Sequence, residues 1–153
     1  MSKQAGFTLV ELVVVIVILG LLAAAALPRF INVTADARLA SVNGIAGGLR
    51  TAASLARAEY VVSNNNAATA IVMDNQPVTV LSETGNLGRG GRPTADAAGI
   101  TAAMPNPQDY TVTYAAGVAT YLPPGGTASC QVTYTAAATG DPVTVTATSA
   151  ADC

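Results

Sequence analysis

The feature that most constrains this chain is an apolar run that starts at Phe7 and closes on Pro28. Phe7 to Leu27 is 21 residues, and at the α-helical rise such a stretch reaches about 31 Å, the thickness of a bilayer core. Val13 to Ile18 leave no polar face, as expected of a helix buried on every side in lipid or in a bundle. One ionisable residue stands inside the run, Glu11, and an acid deep in a bilayer costs about 2.5 to 3.5 kcal/mol, so this carboxylate needs a partner. Ahead of it, Met1 to Gly6 is short and polar and carries one cation, Lys3, which places that end on the cytoplasmic side and the rest outside. An ordinary secretory signal would be cut near Ala23 to Ala26 and release a chain beginning near Leu27. The run is longer than a signal core and carries Glu11, which favours a retained span; hydropathy alone is equally met by a single-pass anchor.

Composition narrows the rest. The chain has 153 residues, 51% hydrophobic, enough for one compact domain besides the span. With 10% charged residues and a net charge of −2, it has no basic field for nucleic acid, and none is predicted as a partner. Histidine is absent and the cysteines, Cys130 and Cys153, have no ligand cluster around them, so a His or Cys metal centre and a cofactor are not expected, while carboxylate sites for hard cations stay open. With no histidine, no recognisable carboxylate pair and no base near a Ser or Thr, an enzyme is not expected either. An even cysteine pair behind an export-type N-terminus reads as a disulfide formed outside the cytoplasm; closing 24 residues, it stabilises by about 3.5 kcal/mol on the chain-entropy estimate.

From Arg29 to about Val62, Leu39, Val42, Ala46, Leu49, Ala53, Ala56 and Tyr60 follow at spacings of three and four, the stripe of an amphipathic helix covering a sheet. Asp36, Arg38, Arg50 and Arg57 fall off it and read as a solvated face. Gly44, Gly47 and Gly48 weaken the helix and make room for a neighbouring backbone. Ser63 to Asn66 stops it. Two apolar runs follow, Ala70 to Met73 and Val78 to Leu81, then a segment from Thr84 to Pro107 rich in Gly, Pro and Ala, read as a surface loop. Its Gly85, Gly88, Gly90 and Gly91 lack the Gly-Lys-Ser/Thr of a phosphate loop. The last third alternates with period two through Tyr110, Val112, Tyr114, then Val118, Thr120, Leu122, then Cys130, Val132, Tyr134, then Val143 and Val145, as antiparallel strands do. Gly117, Pro123 to Gly126 and Gly140 to Pro142 punctuate them as turns.

The stretch Gly6-Phe7-Thr8-Leu9-Val10-Glu11-Leu12 resembles the class III signal of type IV pilins and the related pseudopilins. Ala26 to Phe30 is similar to the mannose-sensitive haemagglutinin branch of the type IVa pilins. The resemblance implies that a prepilin peptidase cuts between Gly6 and Phe7, that Phe7 becomes an N-methylated terminus, and that Glu11 pairs with that amine to set assembly register. Gly20 and Pro28 fall where family members carry a glycine and a proline, and imply a first helix that can unwind between them. The implied fold is α+β: a long N-terminal helix, apolar then amphipathic, packed on a C-terminal antiparallel sheet. The implied parts are a leader (1–6), a transmembrane or filament-core helix (7–28), an amphipathic helix (29–62), a helix-to-sheet region (63–109) and a sheet with a C-terminal disulfide loop (110–153). The implied function is that of a structural subunit polymerising into an extracellular filament for adhesion or motility, single-pass in the inner membrane before assembly. Its partners would be other copies of itself, the peptidase and the inner-membrane assembly machinery. A type II secretion pseudopilin, which commonly lacks the disulfide loop, and an initiating minor pilin or anchored binding module are the alternatives.

Overall fold

The computed structural model describes residues 6–84, 90–104, 109–136, 144–149 and 153, with the side chains of 27–33 outside that description. The turn expected at Gly140 to Pro142, the expected strand residue Val143, and Gly85 and Gly88 lie outside it too. The chain divides into two compact units, Met1–Asp36 and Ala37–Cys153.

One helix, α1 (Leu9–Ser63), contributes to both units. Its backbone runs through Gly20 and Pro28 without a break. In the first unit every side chain from Gly6 to Ala26 is exposed, so the purely apolar half has no core of its own. Leu9–Ala26 is long and apolar enough to cross a membrane. At the other end Asn64 takes a left-handed conformation, φ 50°, which an Asn tolerates and which turns the chain out of the helix.

In the second unit the amphipathic half of α1 behaves as its spacing predicts. Val42, Ala46, Leu49, Ala53, Ala56 and Tyr60 are buried and Leu39 is half-buried; Ile45 and Ala52, one step round the helix, are buried as well. Opposite lies a four-stranded antiparallel sheet in the order β3 (Thr111–Ala115), β4 (Val118–Leu122), β5 (Val132–Thr135), β6 (Thr144–Ala147). The register sets Tyr121 between Val112 and Val132, and Ala119 between Tyr114 and Tyr134. These residues share the inner face, where Ala119, Tyr121, Val132 and Tyr134 join Val42, Leu49 and Ala53 in the main core. The alternating set Val118, Thr120 and Leu122 therefore lies on the outer face. Both faces of β4 carry apolar residues, and pairing with β5 rather than hydropathy decides which turns inward.

A smaller hairpin, β1 (Ala70–Met73) and β2 (Gln76–Thr79), covers the end of the helix, and Ile71, Val78 and Val80 pack with Ala56 and Tyr60. The second expected run began at Val78; β2 begins two residues earlier because Asp74 and Asn75 both take positive φ, 46° and 62°, the geometry of a two-residue hairpin turn.

The expectation of a surface loop from Thr84 to Pro107 is corrected for residues 90–104. Gly91, Pro93, Ala95 and Ile100 are buried, Ile100 completely. The Leu81 amide donates to Arg92 O and the Thr94 amide to Thr79 O, both near 3 Å (2.9 and 3.0 Å), so this stretch pairs alongside β2. A π-helical turn, Ala97–Thr101, follows, with the Asp96 carboxylate accepting from the Gly99 amide at 2.7 Å. Composition missed this because the glycines serve close packing: a Cβ on Gly91 would lie 2.3 Å from Tyr60 Cβ, and one on Gly99 2.3 Å from Thr94 O.

The solvated-face reading is corrected for Arg57, which is half-buried; Arg50 is exposed, as read, and is tied to the sheet. Arg57 Nη1 lies 3.2 Å from Glu83 Oε2 and donates to Gly90 O, and Arg50 Nη2 donates to Val145 O at 3.2 Å. Their partners lie 26 to 95 residues away in sequence, beyond the reach of helix periodicity.

Candidate functional site

Three of the residues singled out by sequence, Gly6, Phe7 and Glu11, gather at the N-terminal end of α1. Gly6, Phe7 and Thr8 precede the helix, and Phe7 is 90% exposed, so the Gly6–Phe7 peptide bond is non-helical and open to solvent. Thr8 occupies the N-cap. Its amide and its hydroxyl each donate to Glu11 Oε2 at 2.9 Å, and its Oγ1 accepts from the Glu11 amide at 3.2 Å. This is the reciprocal capping box of a Thr-x-x-Glu sequence, which satisfies amides that the first turn leaves without intrahelical acceptors. The sequence reading named Glu11 and missed Thr8, although the spacing was in view.

The box changes what Glu11 needs. A carboxylate in an apolar environment requires donors, and the chain supplies two of them from Thr8. Both fall on Oε2; the other oxygen, Oε1, has no hydrogen-bond partner among the described residues, and is available to a further donor. The helix N-terminus beside it favours negative charge.

Gly20 and Gly6 have open surroundings: a Cβ at either would meet nothing within 4 Å. Nothing in the described chain itself requires glycine at these positions. Pro28 lies in a helical stretch of backbone. At the far end of the chain Cys130 and Cys153 are bonded, with Cα atoms 4.6 Å apart. Cys130 is wholly buried in the main core, and the Gln131 amide donates to Thr148 Oγ1 at 3.1 Å, so the bridge and this bond hold the end of the chain against β5.

Residues 1–27 match the prokaryotic N-terminal methylation motif. The N-terminus is similar to that of type IV pilins. Curated relatives of the chain carry pilin and fimbrial names. The type IV narrow pilus major component PilA5 of Thermus thermophilus is 46% identical over 54 residues, covering 35% of this chain and 47% of the relative. The type IV major fimbrial protein FimA of Dichelobacter nodosus is 45% identical over 51 residues, 33% of each. The type IV major pilin protein PilE1 of Neisseria gonorrhoeae is 37% identical over 81 residues, 53% of this chain and 34% of the relative. The chain thus spans between a third and a half of the length of these pilins. No solved structure matches it.

Proposed function

We propose that the chain is a structural subunit of a type IV pilus, held single-pass in the inner membrane and then polymerised through its N-terminal helix into an extracellular filament. The carrying observation is the exposed apolar helix Leu9–Ala26, headed by the methylation motif. A surface apolar on all sides needs burial, and the same surface can be covered first by lipid and then by the helices of other copies. In this reading prepilin peptidase hydrolyses the exposed Gly6–Phe7 bond. The amine released on Phe7 is methylated and remains cationic. Glu11 Oε1 accepts from that amine in a neighbouring copy while Oε2 stays with Thr8. An unpaired charge in the filament core is severely penalised, so the pair selects axial register.

Gly20 and Pro28 supply the second element of the proposal. Glycine in a helix interior costs about 1 kcal/mol relative to alanine, and proline removes a backbone hydrogen bond. The segment between them is where the helix opens when the filament is stretched. The bridged head, with its Cys130–Cys153 staple, forms the filament surface for adhesion or motility.

Mass spectrometry of sheared surface filaments tests this reading. The expected species is this chain beginning at methylated Phe7 with one disulfide. A soluble chain beginning near Leu27 would establish an ordinary secretory signal instead, and its absence from filaments would overturn the pilus reading. Glu11→Ala should leave insertion and cleavage intact and reduce filament assembly; normal filaments at a normal rate would refute the register role.

A further inference from the structure

Two of the chain's three methionines, Met73 and Met104, meet at one groove. It has a volume of about 620 Å³, lies beside the end of α1, and is lined also by apolar Leu55 and Val62 and by the carboxylates of Glu59 and Asp74. All of it belongs to the unit Ala37–Cys153. Met73 ends β1 and packs on the cluster around Tyr60, whereas Met104 packs on the main core. Each is half-buried, with part of its side chain in packing and part on the groove. We propose that this groove is an oxidation site, at which a neutral hydroperoxide converts Met73 and Met104 to sulfoxides, and that the sulfoxide on Met104 frees the end of the connection 90–104 from α1. The site is confined to the head and does not rest on the pilus reading.

Access and charge select the oxidant. A groove open to water admits a small molecule, and thioether oxidation follows exposure. Glu59 and Asp74 are exposed and have no hydrogen bond or ion pair among the described residues. Their negative charges repel an anionic oxidant and do not act on an uncharged hydroperoxide. In the reaction a sulfur lone pair takes one peroxide oxygen and the O–O bond breaks. The departing hydroxide collects the proton left on the transferred oxygen and leaves as water. Sulfur is oxidised by two electrons and the peroxide is reduced by two.

The two methionines differ in what the added oxygen meets. A Cβ on Gly48 would lie 3.3 Å from Met104 Cε, so the methionine methyl fills the space that glycine leaves on α1. The new oxygen is bonded to the sulfur that carries this methyl. Amides of a helix interior are committed to carbonyls of the same helix, so none beside Gly48 is left to donate to it. A polar oxygen held there unbonded costs more than one that turns to groove water, and turning pulls Met104 off the helix. Met104 lies shortly past the π-helical turn, and its amide donates to Thr101 O at 3.2 Å, so the turn loosens with it. Met73 stands next to Asp74 at the exposed hairpin turn, where water meets its sulfoxide with less change of packing.

The test treats the full chain, folded in detergent, with hydrogen peroxide. Peptide mass spectrometry follows the gain of one oxygen at Met73 and at Met104, separately from Met1. Each should be oxidised at no less than about a tenth of its rate in the unfolded chain, since exposure sets the rate. The oxidised chain should unfold with an equilibrium constant raised about tenfold, the size of an ordinary destabilising change, read from the near-ultraviolet dichroism of the head in denaturant. Met104→Leu, which conserves volume, should remove most of that increase, and Met73→Leu little of it. Hydrogen exchange needs no variant: in the oxidised, unaltered chain the amides of Thr101 to Met104 should exchange faster relative to those of β4 and β5. Oxidation of either methionine slower than about that tenth, an unchanged unfolding constant, unchanged exchange at Thr101 to Met104, or protection by Met73→Leu in place of Met104→Leu would overturn the proposal.

Discussion

Gly91→Ala should be among the most damaging single-methyl additions in the head. Gly91 has φ +77°, and a Cβ there would lie 2.3 Å from Tyr60 Cβ and 2.4 Å from Tyr60 Cγ. The ring cannot easily swing aside. Tyr60 is 1% exposed, and its hydroxyl both donates to Asn66 O at 2.6 Å and accepts from the Glu83 amide at 2.9 Å. A left-handed alanine costs about 1 to 2 kcal/mol, and forcing a methyl into a packed core costs about 1 to 3 kcal/mol. The sum, about 2 to 5 kcal/mol, is a large share of the roughly 5 to 15 kcal/mol that holds a domain folded. Denaturant unfolding of the full chain in detergent, followed by near-ultraviolet circular dichroism, measures it. All five tyrosines lie in Ala37–Cys153, so the tyrosine part of the signal reports the head alone. Gly44→Ala is the control: it sits in the helix with nothing within 4 Å of an added Cβ, and should stabilise by about 1 kcal/mol. A Gly91→Ala head within about 0.5 kcal/mol of the parent, the range of an ordinary surface change, would refute the claim that the connection is locked onto Tyr60.

Thr101→Val should destabilise the head by about 1 to 3 kcal/mol, the cost of leaving a buried hydroxyl unsatisfied, because Thr101 Oγ1 bonds both Tyr121 OH at 2.7 Å and Tyr114 OH at 2.8 Å; the same unfolding assay reads it. Replacing both cysteines, Cys130→Ser with Cys153→Ser, should cost about 3.5 kcal/mol on the chain-entropy estimate, seen as a lower denaturation midpoint. Burial pushes the Tyr121 phenol up to about 12, with the Thr101 hydrogen bond pulling the other way, and burial raises Tyr134 as well. A raised phenol keeps its proton in the folded state and loses it first when unfolded. The stability it contributes is therefore complete below pH 10, the ordinary tyrosine value, and falls as pH rises towards about 12, at about 1.4 kcal/mol per pH unit for each tyrosine. The part of the tyrosinate absorbance that Tyr121→Phe and Tyr134→Phe remove should then rise together with loss of the head's dichroism; that part appearing at pH 10 in a folded head would refute it.

Much of the fold was legible in local pattern. The stripe from Leu39 to Tyr60 was read at spacings of three and four, and burial follows it, because a helix face is set by residues close in sequence. The strands from Tyr110 onward were legible by alternation, but the inward face of β4 was not, since Val118-Ala119-Thr120-Tyr121-Leu122 offers apolar residues to both sides. The ordered connection at 90–104 was hidden because Gly, Pro and Ala are as common in loops as in places where backbones meet closely. At the candidate site, Gly6, Phe7 and Glu11 came from a short motif, and the Thr8 box was equally local but was passed over. The partners of Arg50 and Arg57 were not legible at all.

By itself the sequence determined that the chain carries an apolar helix headed by a match to the N-terminal methylation motif, and an α+β part behind it. Those depend on composition and short spacing, which folding does not alter. Tertiary structure alone decided that Glu83 and Gly90 hold Arg57, that Gly91 must be glycine because Tyr60 lies against it, and that unpaired acids line an apolar groove. Each of these joins residues distant in the chain, and only the packing of helix, hairpin and sheet fixes which of them meet.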